Sequence, residues 1–190
     1  MQRIFKRYKK FFLFCLVILI LGILSGIIYY NFLDVSIKEN ISITLDQQSF
    51  FNYNFILKHL IIMSVILVLS FLLIGLPIGF CYLLYEGFSL GFLVSIFFAS
   101  FKFSGILYFI IYLLLNKLVA LILYILFLKR IFDISRNIIG VIIYKRDSNI
   151  LNKVFLNFKK CIYFILFVLV LNTALYFLNP VIFKFFSFLL

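Results

Sequence analysis

The sequence predicts an all-α fold, a polytopic integral membrane bundle of about five transmembrane helices with a Gly/Pro-broken central segment. Three observations predict it. The 190 residues are 66% hydrophobic and 21% aromatic, with a mean hydropathy of +1.25, whereas soluble chains run near half apolar. The apolar residues come in runs of the length that crosses a bilayer, about 20 residues of helix. Charge is segregated: of 18 Lys and Arg, five lie in residues 1–10 and eight between Lys129 and Lys160. Basic clusters beside apolar spans orient a membrane protein and attract anionic lipid. The net charge of +12 therefore points to membrane lipid as the partner and not to nucleic acid. One membrane domain over residues 1–190 is expected.

The first apolar run, residues 11–33, follows a basic front like that of a secretory signal. It is longer than an ordinary signal core and no small-residue cleavage site follows, so a retained transmembrane helix is expected. Residues 34–57 are the most polar stretch, with Asp34, Glu39 and Asp46 against Lys38. The Lys/Arg asymmetry makes this loop extracytoplasmic and the N-terminus cytoplasmic. Spans follow at 59–80 and 82–101. Pro77 removes a backbone donor that lipid cannot replace, so Gly75–Gly91 is expected as a bent, protein-covered turn near the cytoplasmic side. A span at 103–128, interrupted by Asn116 and Lys117, leads to a cytoplasmic loop, 129–160. There "NIIGVIIYKR" and "ILNKVFLNFKK" have the pattern of interfacial amphipathic segments. A last span, 161–178, precedes Pro180 and a short tail. Four crossings separate two cytoplasmic basic regions, as parity demands, and a fifth puts the C-terminus outside.

Residues 87–91, Gly-Phe-Ser-Leu-Gly, match the nucleophile-elbow pattern of hydrolases. An elbow serine needs a strand-turn-helix context, a histidine base after it in sequence, and an oxyanion hole. Here the context is helical and the one histidine, His59, precedes Ser89. The hydrolase reading is rejected, and no enzyme activity or cofactor is expected. One histidine without a paired carboxylate set also gives no expected metal site. Cys15, Cys81 and Cys161 lack metal or redox spacing and read as small packing residues.

Packing explains the glycines better. Gly22/Gly26, Gly75/Gly79 and Gly87/Gly91 each have Gly-x-x-x-Gly spacing, which places two bare positions on one helix face and lets another helix approach closely. Ser25 and Ser89 extend those faces and can hydrogen-bond across helices. Internal packing is the expectation for residues 75–91. For Gly22/Gly26 it stands beside binding of another chain, and a homo-oligomer remains an open alternative. Glu86, an acid in an apolar run, has a reason to be there because a charge at the bilayer centre costs about 2.5–3.5 kcal/mol on insertion scales. It is read as hydrated at the inner headgroup level, where spans two and three should turn; the alternatives are an ion path or a salt link with Lys102 or Lys117. Asn116-Lys117 reads as a helix break or a snorkelling lysine.

The stretch "IGLPIGFCYLLYEGFSLGFLVS", Ile74 to Ser95, resembles the central segment of the stage II sporulation protein M family. The matching features are Gly75, Pro77, Gly87, Gly91 and Phe92, set in the same order of parts: basic N-terminus, one span, a loop ending in aromatics, then clustered spans. The family's proline-and-asparagine break in the next span is only half present, at Leu114-Leu115-Asn116-Lys117. The resemblance implies a non-enzymatic protein of the bacterial cell membrane that anchors peptidoglycan hydrolases during forespore engulfment. The rival expectation is a small channel or transporter with a polar path around Glu86, Lys102 and Lys117; an enzyme acting on lipid is the third.

Overall fold

A computed structural model describes residues 2–38, 53–112, 117–144 and 149–187. Among them the chain is helical throughout, without strands: α1 (Gln2–Phe32), α2 (Tyr53–Leu69), a 3₁₀ turn (Ser70–Leu72), α3 (Gly75–Tyr112), α4 (Val119–Tyr144) and α5 (Asn149–Ser187). Among the described residues three helices are long and apolar enough to cross a membrane, over Lys9–Phe32, Gly75–Ala99 and Val154–Leu171, and Leu57–Leu72 is a shorter apolar helix. Most of the expected loop 34–57 and Asn116 lie outside the described residues.

The break expected within Gly75–Gly91 lies ahead of it. Residues 75–91 are uninterrupted helix, and the chain turns at Leu73, which adopts the left-handed conformation (φ 63°, ψ −4°). The Ser70 hydroxyl donates to the Leu67 carbonyl at 2.6 Å, and the Leu73 N–H donates to the Ser70 carbonyl at 3.2 Å. Pro77 stands in the first turn of α3, where a backbone N–H has no helical acceptor. It therefore opens the helix instead of breaking it. Gly75 is needed at the joint because a Cβ there would stand 2.5 Å from the Ile66 carbonyl oxygen and the Ser70 nitrogen.

The chain forms two compact units, one from residues 1–48 and 77–129, the other from residues 49–76 and 130–190. In the second unit α2 packs along α5. Its buried positions include Met63, Ile66, Ile131, Ile134, Cys161 and Val168, and Phe71 meets Phe158 with ring centroids 5.0 Å apart. The last span was expected to end before Pro180, but α5 stays helical through Ser187. A helical proline is tolerated in apolar surroundings where neighbouring groups satisfy the freed carbonyl.

In the first unit α1 and α3 run parallel. Phe11 and Phe14 meet Phe80, Gly22 faces Gly87, and Tyr30 meets Phe92, so contacts advance together along both helices. The start of α4 runs antiparallel to α3, since Lys117 pairs with Glu86 and Tyr124 with Gly79. That pairing requires α3 to bend. From Glu86 to Tyr112 are 26 residues (112 − 86), about 39 Å in a straight helix. The five residues on to Lys117 recover at most about 18 Å, and two side chains cannot close the remainder. The stretch includes Ser100 and Ser104-Gly105, and Gly/Ser pairs are a recurrent cause of sharp kinks. The expected boundary between spans, at position 102, falls in this region.

Candidate functional site

The expected glycine faces Gly22/Gly26 and Gly87/Gly91 form one seam between α1 and α3. A Cβ at Gly22 would lie 2.5 Å from the Leu84 carbonyl oxygen and 3.0 Å from the Gly87 Cα; one at Gly87 would lie 2.7 Å from the Leu19 carbonyl oxygen. At Gly26 and Gly91 a Cβ would meet the Phe88 and Ile23 carbonyls respectively. All these obstacles are backbone, so no rotamer change relieves them. The Gly22/Gly26 face is thus occupied by the chain's own α3.

Aromatic rings bracket the seam. Phe14 and Phe80 meet edge to face at 5.1 Å on one side. On the other, Phe88 and Phe92 stack at 6.3 Å and Tyr29 lies 5.5 Å from Phe88. The Ser25 hydroxyl donates within its own helix, to the Gly22 carbonyl at 2.7 Å, a local acceptor three residues back. Ser95 does the same to Gly91 at 3.1 Å. Ser89 is half-buried on α3 in the first unit, and His59 is buried on α2 in the second.

The Gly75/Gly79 pair is put to other uses. Gly75 serves the α2–α3 joint, and the Gly79 carbonyl accepts a hydrogen bond from the buried Tyr124 hydroxyl at 2.9 Å.

Glu86 is buried where hydration was expected. Because the turn is at Leu73, Glu86 sits 11 residues beyond Gly75 (86 − 75), about 17 Å along the helix. It is only 5% exposed, and Lys117 only 3%. Lys117 Nζ stands 3.1 Å from Glu86 Oε2, while the Tyr82 hydroxyl donates to Glu86 Oε1 at 2.7 Å. Both carboxylate oxygens are therefore engaged, as a buried charge requires. Tyr82 packs edge to face on Tyr124 at 5.1 Å, so ion pair, tyrosines and the Gly79 carbonyl form one polar cluster between α3 and the start of α4. A π-type turn at residues 117–118 delivers the lysine, and such turns recur at functional positions. The remaining residue of the expected polar path, at position 102, lies on α3 with its side chain outside the described residues, and Asn116, expected as a helix break, is outside them altogether.

Comparison with known proteins yields no match: no family model, curated protein or solved structure aligns with this chain.

Proposed function

We propose that the chain is a non-enzymatic membrane scaffold which anchors or recruits peptidoglycan hydrolases at the bacterial cell membrane during engulfment in endospore formation. The observation that carries the reading is the engagement of the first unit's glycine faces and central charges with one another. Gly22, Gly26, Gly87 and Gly91 hold α1 on α3, and Glu86 is spent on Lys117 and Tyr82. Residues used this way build a platform, and recruitment falls to the polar loop 34–57. The part of the reading that concerns sporulation rests on the resemblance around Gly75, Pro77, Gly87, Gly91 and Phe92.

The topology we propose has five crossings with the N-terminus cytoplasmic. Parallel packing of α1 and α3 supports it, because a chain that crosses twice in one direction must return in between. α2 with its 3₁₀ turn, 17 and 3 residues, rises about 31 Å, which matches a hydrocarbon core of about 30 Å. The bend in α3 supplies the next return.

The test is photo-crosslinking from positions 34–57 in living cells. Capture of a peptidoglycan hydrolase is expected; capture of lipid alone defeats the scaffold. A second reading, a channel or transporter with a path around Glu86, Lys102 and Lys117, is favoured by one observation, the buried charge pair between apolar helices. Ion or solute flux through proteoliposomes that disappears with Glu86→Gln selects that reading instead.

A further inference from the structure

We infer that Glu86 and Lys117 form a charge latch that fixes the return of the chain after the bend in α3. The latch is independent of the scaffold reading and holds equally for a transporter. Each residue is the one charge within its expected apolar run, 82–101 or 103–128, and the two stand 31 positions apart in sequence. In an apolar interior neither charge has water to turn to, so each is costly without the other. Together they satisfy one another at 3.1 Å, with Tyr82 taking the second carboxylate oxygen.

The position of the pair gives the latch its purpose. α3 is bent between Glu86 and Tyr112, and apolar surface alone sets no register for the returning arm, since lipid tails compete equally for it. A single buried polar pair does set one: any slip of α4 along α3 breaks the 3.1 Å contact between the two charges. The Tyr124–Gly79 hydrogen bond at 2.9 Å, seven residues on from Lys117 and seven back from Glu86, fits the same antiparallel register. Removing one partner of a buried pair is strongly destabilising, while replacing both with neutral groups is often tolerated. That asymmetry separates a latch from two independently useful side chains.

The experiment uses the full chain expressed in membranes, extracted in mild detergent and quantified as monodisperse folded protein. Glu86→Gln and Lys117→Met are each expected to lower the yield at least tenfold. The double variant E86Q/K117M, though it carries both changes, is expected to return to within threefold of the native chain. A double variant that exceeds both single variants supports the latch. A double variant that yields no more than the better single variant overturns it, as do single variants that match the native chain.

Discussion

Substituting Gly91 with alanine tests the seam against the ordinary preference of helices for alanine. In an open helical position the exchange stabilises by about 0.5–1 kcal/mol, because glycine loses more backbone freedom on folding. Gly140 is such a position: a Cβ there meets nothing within 4 Å. At Gly91 the added Cβ would lie 2.9 Å from the Cα of Ile23 and 2.8 Å from its carbonyl carbon, besides overlapping its oxygen. Ordinary carbon contacts lie near 3.5–4.0 Å, so the two helices must separate and thin the contacts along the whole seam. Overpacking of this kind costs about 1–3 kcal/mol. The order of stability is therefore Gly140→Ala above native above Gly91→Ala, with the variants about 2–4 kcal/mol apart. For a chain of this size that difference corresponds to roughly 4–16 °C in Tm. The chain has no tryptophan, but Cys15 is fully buried on α1, so with Cys81 and Cys161 replaced by alanine in every variant a thiol-reactive dye during thermal unfolding in detergent follows opening of the seam. A Gly91→Ala variant that melts with Gly140→Ala refutes close helix contact as the reason for glycine.

Three further outcomes follow from the same geometry. Tyr124→Phe removes a buried hydrogen bond to the Gly79 carbonyl while keeping the ring, and is expected to cost about 1 kcal/mol; an unchanged Tm removes that bond from the account. At Leu73, held at φ 63°, Leu73→Gly is expected to melt above Leu73→Val, because a left-handed conformation strains side-chain-bearing residues by about 1–2 kcal/mol and β-branching adds to it; the opposite order denies that the α2–α3 joint is strained. Cys81 is exposed whereas Cys15 and Cys161 are buried, so a small apolar maleimide in mild detergent is expected to modify Cys81 alone until the protein is unfolded; equal labelling of all three contradicts the packing of α1 and α5.

What the sequence disclosed and what it concealed divide along the range of the interactions. Apolar run length and Gly-x-x-x-Gly spacing are local properties, and they marked the chain as helical and supplied the faces of the α1–α3 seam; the helix bounds differ, since α3 runs through the expected breaks at 81 and 102 and helices α4 and α5 extend into the expected loop 129–160. Spacing says nothing about which face meets which. Gly75/Gly79 carries the same pattern as Gly87/Gly91, yet one pair supports a joint and a tyrosine contact while the other packs on α1. Pro77 misled because the meaning of a proline depends on where its helix begins, and the start of α3 is set by the turn at Leu73, whose left-handed residue is not a glycine. Moving that turn moved Glu86 inward along α3 as well. Its pairing with Lys117 depends on the return of α3, which no local pattern specifies, although two lone opposite charges in neighbouring apolar runs were a usable signal.

The parallel seam also imposes a schedule on biosynthesis. Gly26 leaves the ribosome 65 residues ahead of the Gly91 that completes its interface (91 − 26), an interval of about 3–13 s at ordinary elongation rates. During that delay α1 waits with its smooth side uncovered. Assembly of this unit is therefore an affair of late docking, in which α1 is clasped only after α3 has been made.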